Sequence, residues 1–190
     1  ALPAAKNCEV LSAVTRHMAR NARDLADSWV SFKQHYLDTG PYRDTTIKAG
    51  MTALEILEER RLAQPMGLRG NGKRNPYITD AWRSGQSLMA VEATVAGLEK
   101  FYLPGLITLL KTDGEARLAE RIQRQFEEVA DNFPEAHAAM TTLMESDERF
   151  RILQGLFVDV SQLSTLINDE AAVALGVVRG AHVDEPLFQR

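Results

Sequence analysis

From Leu11 to Tyr36 apolar or small residues recur at Leu11, Val14, Met18, Ala22, Leu25, Trp29, Phe32 and Tyr36, in steps of three and four. That spacing draws one stripe along a helix, with Lys, Arg, Asp and Gln on the far side. It predicts one long amphipathic helix, ended by Asp38-Thr39-Gly40-Pro41. A stripe of this length needs another element to cover it, so it constrains the rest of the chain to supply or to meet helices.

Further helical stripes follow. Asp44 can cap a second helix with Ile47, Met51, Leu54 and Leu57 on one face, closed by the polar run Glu58-Glu59-Arg60-Arg61. The segment from Leu62 to Pro76 holds three Gly and two Pro, so it reads as a long connection. Between Arg60 and Arg83 six Lys/Arg stand against one acid, Asp80, and we read the basic run Arg60 to Arg74 as a solvated loop. A third helix is expected from near Thr79 to Tyr102, broken by Pro104-Gly105 before a short apolar turn. Asp113 can cap a fourth, Pro134 opens a short fifth segment, and Ser146 or Asp147 caps the last long helix, which stops near Gly176 or Gly180. No segment alternates with a period of two. The predicted class is all-α, an antiparallel helical bundle of four long helices with short extra helices over residues 1–180, and residues 181–190 form an irregular tail.

Composition narrows the function. The chain has 190 residues, 45% hydrophobic and 25% charged, which fits about one globular domain and excludes disorder. The net charge of −4 provides no basic field for a nucleic-acid partner. A single cysteine, Cys8, leaves no internal disulfide and no four-cysteine zinc site. No run of apolar residues is long enough for a transmembrane segment, and the first residues read as neither signal peptide nor membrane anchor. The start without Met reads as a processed chain or a piece of a longer protein. The four histidines, His17, His35, His137 and His182, lack the Glu-x-x-His and His-Glu-x-x-His spacings of di-iron and zinc-peptidase helices. No complete catalytic constellation is present.

The most distinctive stretch is Asp80-Ala81-Trp82-Arg83-Ser84-Gly85-Gln86-Ser87-Leu88. It resembles the Trp-Arg-Ser-Gly-x-Ser-Leu signature in the C-terminal half of imelysin-like proteins, a family classed with metallopeptidases and iron-regulated envelope proteins. Arg61-Leu62-Ala63-Gln64-Pro65-Met66-Gly67 is similar to the segment before that signature, and Val95 to Tyr102 to the stretch after it. The last helix, with Ala174-Leu175-Gly176-Val177, and the helix bearing Cys8 and Trp29 resemble the two ends of that half. The resemblance implies a periplasmic or outer-envelope location and a partner, the N-terminal half of the same protein. That half carries a Gly-x-His-x-x-Glu motif, which this sequence lacks. A divalent metal, iron or zinc, is then implied only with that other half, together with a peptide or metal ligand, and the chain alone is expected to be inactive as a peptidase. The family's closing segment corresponds here to Gly180-Ala181-His182-Val183-Asp184-Glu185, where one acid matches.

The candidate ligand-binding or interface residues are Trp82, Arg83, Ser84 and Ser87. Placed in the first turn of the third helix, Arg83 opposes the helix dipole, so it either meets a carboxylate or is aimed at an anion. Two readings stand side by side: these residues line a polar pocket facing the other half, or Arg83 makes an ordinary ion pair and Trp82 packs in the core. Trp29 is read as core. An alternative reading of the whole chain is a periplasmic four-helix sensor that binds a small anion without catalysis. If the chain is one half of a protein, it should expose an apolar patch.

Overall fold

The computed structural model describes residues 4–40, 42–70, 72–134 and 138–178, and no strand occurs among them. The tail 181–190, with His182, and also His137, lie outside the described residues. The chain divides into two units, Ala1–Thr45 and Thr46–Arg190.

The first unit is built on α1, Ala4–Asp38, followed by the opening turn of α2, Tyr42–Glu55. The expected stripe is therefore one helix of 35 residues. Its aromatic end forms a cluster: Trp29 lies 5.2 Å from Tyr36, and Tyr36 stacks 5.0 Å from Tyr42. The expectation that Trp29 is core does not hold. Among the described residues its ring meets Phe32 and Tyr36, further along the same helix, and it stays 45% exposed.

The second unit holds the core. After α2 the helix continues as a π-helical segment, Ile56–Ala63, then come α3 (Ser87–Phe101), α4 (Leu103–Thr112), α5 (Ala116–Asp131), α6 (Met140–Leu143) and α7 (Asp147–Thr165). A second π-helical segment, Leu166–Ala171, and α8 (Ala172–Ala174) end it. Leu54, Leu57, Leu62, Leu110, Ile122, Phe126, Leu153 and Leu163 are fully buried. Each contributes about 1.5–3 kcal/mol by leaving water.

Cross-helix pairs set the directions. Tyr102 donates to the Ile47 carbonyl at 3.2 Å while Arg61 donates to Thr94 Oγ1 at 2.8 Å, so residue numbers rise on one helix as they fall on the other. Ser161 bonds Glu58 at 2.7 Å and Asn168 reaches the Met51 carbonyl at 3.5 Å. Arg121 meets Glu170, and Gln125 donates to the Asp159 carbonyl at 3.2 Å. All three series run antiparallel, which is the bundle geometry expected from the stripes.

Several boundaries move. The run Glu58 to Arg61 does not close the second helix. Glu58 bonds Ser161, Glu59 bonds Arg69 and Arg61 bonds Thr94, so the polar side chains are satisfied in place and the helix continues to bury Leu62 and Ala63. The connection after it folds back on itself, with the Asn75 amide on the Pro65 carbonyl at 2.8 Å and Pro65, Met66 and Gly67 buried. Gly67 is required there: φ is +73°, and a Cβ would lie 2.7 Å from the Lys73 backbone. Pro104 does not end helix structure. It occupies the first turn of α4, bent 43° from α3. The fourth expected helix, α5, begins at Ala116, and its N-cap residue Glu115 makes no side-chain cap. Ser146 does cap α7, accepting the Arg149 amide at 3.3 Å. Gly176, at φ +65°, follows the last helix as the sequence predicts.

No single helix among the described residues is long and apolar enough to cross a membrane. The bent pair α3–α4 qualifies only jointly, and its Leu88, Val91, Val95, Leu106 and Leu110 lie in the core.

Candidate functional site

The signature stretch does not start a helix. Asn75 Oδ1 accepts the Tyr77 amide at 3.2 Å and starts a 3₁₀ turn over Pro76–Ile78. Thr79, buried, returns its hydroxyl to the Pro76 carbonyl at 2.8 Å. Ala81 then takes φ +55°, the one left-handed non-glycine residue among the described residues. That conformation costs a residue with a Cβ about 1–2 kcal/mol, so the surroundings must hold it. A second 3₁₀ turn, Trp82–Ser84, closes on Gly85 at φ +70°, and only at Ser87 does α3 begin.

Two braces hold this corner. Thr79 Oγ1 and Ser87 Oγ lie 2.9 Å apart, with the Pro76 and Asp80 carbonyls as their other acceptors, so the two hydroxyl protons make two of these three contacts at a time. From outside, Arg61 Nε lies 3.2 Å from Asp80 Oδ2 as an ion pair without hydrogen-bond geometry, while its Nη1 donates to Thr94 Oγ1. The guanidinium thus ties the first π-helical segment to the turn before Trp82.

The four candidate residues separate into distinct settings. Trp82 is half-buried, with the edge of Tyr77 5.1 Å from its ring. Arg83 is exposed, its guanidinium carbon 4.3 Å from the Trp82 ring centroid. It makes no hydrogen bond or ion pair among the described residues. Ser84 is exposed and donates to the Ala81 carbonyl of its own turn at 3.0 Å. Ser87 is 4% exposed and committed to the brace. The sequence argument that Arg83 opposes a helix dipole fails, since Arg83 sits in a separate 3₁₀ turn ahead of α3. What remains is a cation on an aromatic face, an arrangement worth about 0.5–1 kcal/mol at an exposed position.

The basic run is less free than its sequence suggests. Arg69 makes a bidentate pair with Glu59 at 2.9 and 2.5 Å, and that bond raises the Arg69 pKa. Arg74 pairs with Asp147 at 2.7 Å and lies 3.7 Å over the Phe150 ring. These contacts dock the loop at the start of α7, while Arg69, Lys73 and Arg74 stay exposed, as expected of a solvated loop.

Sequence reasoning missed a second concavity. A groove of about 580 Å³ runs between α5 and α7 with its π-helical end, over Phe157 and Leu166. Arg121 closes part of it on Glu170 at 2.6 and 2.9 Å, which raises the Arg121 pKa. Its residues come from helices some forty positions apart, and Phe157 reads simply as core, so no local signal marked it.

Neither place fits the metal that the family resemblance implies. Among the described residues no group of three or more His, Cys, Asp or Glu is placed to hold an ion. The corner itself offers a guanidinium, two hydroxyls and an indole, and its nearest carboxylate, Asp80, is held by Arg61.

Residues 1–167 match the family model for imelysin, peptidase family M75. No curated protein and no solved structure matches the chain.

Proposed function

Since this chain belongs to the imelysin family across residues 1–167, we propose that it is one helical bundle of a cell-envelope protein, whose Trp82 corner completes a metal- or peptide-binding pocket with a second bundle. That second bundle carries the Gly-x-His-x-x-Glu motif and supplies any metal ligands. The supporting observation is the Arg83 guanidinium, stacked on Trp82 beside Tyr77 and without a polar partner among the described residues. Trp, Tyr and Arg are the residues that dominate protein interfaces, because each combines a rigid apolar face with a polar tip. The corner is braced from behind by Ser87, Thr79 and Arg61, so the platform is held before anything binds. In this role Arg83 receives a carboxylate, from the second bundle or from a peptide end.

The same uncommitted cation favours a second reading, a sensor module that binds a small anion without chemistry. One experiment separates them. The N-terminal bundle is produced separately and titrated into this chain by calorimetry, and then phosphate and citrate are titrated into the chain alone. On the first reading the bundles associate, and Arg83→Ala weakens them about tenfold or more, roughly 1.4 kcal/mol. Saturable anion binding by the chain alone, lost in Arg83→Ala with no association of bundles, refutes it in favour of the sensor. Incubation of the chain with a protein substrate and divalent metals is expected to give no turnover.

A further inference from the structure

The groove between α5 and α7 carries polar groups that the fold itself does not use. Its lining residues all belong to the second unit, so it is defined without reference to α1. A volume of about 580 Å³ lies within the range of small-molecule sites. Phe157, Val158 and Leu166 give it an apolar floor, and the Arg121–Glu170 pair closes part of it. Leu166 and Glu170 come from the π-helical segment Leu166–Ala171. Such segments are rare and frequently stand at functional sites.

Most polar groups along the groove are committed. Gln125 donates to the Asp159 carbonyl at 3.2 Å, Ser161 to Glu58 at 2.7 Å and Thr165 to the Ser161 carbonyl at 3.0 Å. Three are not. Arg124 makes one long bond of 3.4 Å, from Nε to the Glu120 carbonyl of its own helix, which leaves both terminal nitrogens unused among the described residues. Glu128 and Gln162 make no hydrogen bond or ion pair among the described residues. Arg124 and Glu128 stand four residues apart on α5, a spacing at which opposite charges can pair. They do not pair here. A guanidinium and a carboxylate therefore line one groove about 6 Å apart along the helix axis, each with hydrogen-bonding capacity left.

We propose that this groove binds a small zwitterion with an apolar body, the chemistry of a free apolar α-amino acid. Its carboxylate meets Arg124, its ammonium meets Glu128, and its side chain lies on Phe157, Val158 and Leu166. The two polar contacts are charge-assisted, and the amide of Gln162 can bond either head. A simple anion or cation would answer only one of the two charges, and a wholly apolar molecule neither. The inference stands on the α5–α7 groove alone and does not depend on the reading of the Trp82 corner.

The test uses the whole chain and calorimetric titration with L-phenylalanine and L-leucine, which are expected to bind saturably at one site. N-acetylphenylalanine lacks the ammonium and phenylalaninamide lacks the carboxylate, so each should bind at least about tenfold more weakly than phenylalanine. Arg124→Gln and Glu128→Gln should each weaken phenylalanine binding by a similar factor while circular dichroism keeps the helix content, since both side chains are exposed. The crossed pattern assigns each head to its partner: Glu128→Gln should no longer discriminate against the acetyl compound, and Arg124→Gln should no longer discriminate against the amide. Val158→Asp, which puts a charge on the floor, should abolish binding. Absence of saturable binding to either amino acid overturns the proposal. Equal binding of phenylalanine and its two derivatives overturns it in favour of a merely apolar groove, and loss with only one derivative in favour of a simple ion. Binding indifferent to both Arg124→Gln and Glu128→Gln overturns it by placing the ligand elsewhere.

Discussion

Replacing Gly50 by alanine should destabilise the bundle, although alanine favours a helix. Gly50 is buried in α2, and the Tyr102 ring lies directly over it. A Cβ on Gly50 would fall 2.3 Å from the ring carbons Cε2 and Cζ and 2.7 Å from Cδ2. The ring must move by about an ångström to restore ordinary contact. It then gives up its hydrogen bond to the Ile47 carbonyl, made at 3.2 Å. In an exposed helix interior Gly→Ala gains about 1 kcal/mol. Here overpacking costs about 1–3 kcal/mol and the lost hydrogen bond about 1 kcal/mol more. The expected net loss is about 1–3 kcal/mol, read as a lower urea midpoint at unchanged slope. A second readout identifies the cause. Burial pushes the Tyr102 phenol up to about 12, and an extruded ring should titrate closer to 10, visible as earlier phenolate absorbance. If Gly50→Ala is as stable as the parent and Tyr102 still titrates near 12, the ring does not sit on Gly50 and the reasoning fails.

Tyr102 also gives a pH dependence. Its folded pKa is raised above the unfolded value, so its stabilisation is complete below about pH 10 and is lost as pH rises through about 12. The loss is roughly 2–3 kcal/mol, measured as the difference in urea stability between the parent and Tyr102→Phe across that window; equal curves for the two would remove the effect. Arg61→Met keeps the packed stem but releases Asp80 and Thr94. It should cost about 1–2 kcal/mol and make Trp82 easier to quench, and an unchanged quenching constant would mean that Arg61 does not hold the corner.

Much of the fold was readable because each helix carries its own stripe. The last helix shows the match: Phe150, Leu153, Val160 and Leu163 are all buried, and Ser146 caps it. Boundaries were readable only where a local device sets them, as at Ser146 and Gly176. They failed where distant partners decide. Glu58, Glu59 and Arg61 look like a polar stop, yet Ser161 and Arg69 donate to the two glutamates and Thr94 accepts from Arg61. The helix expected from Thr79 begins at Ser87, because the Thr79 hydroxyl bonds the Pro76 carbonyl and Ala81 turns left-handed. At the candidate site the sequence picked out Trp82 and Arg83 by resemblance, and the two do meet, ring to guanidinium. It gave no sign that Ser87 faces inward, nor that Tyr77 and Arg61 belong to the corner, since neither spacing nor periodicity records a turn folded back on its own hydroxyls.

The proposed seam at Trp82 has its most direct test in the indole itself. Trp29→Phe leaves Trp82 as the sole tryptophan reporter. Acrylamide quenching is then compared between this chain and the full gene product. We predict a half-exposed, readily quenched indole in the chain alone and a several-fold smaller quenching constant once the proposed second bundle is present. Equal quenching in both would contradict it, because the corner would then face solvent in the intact protein.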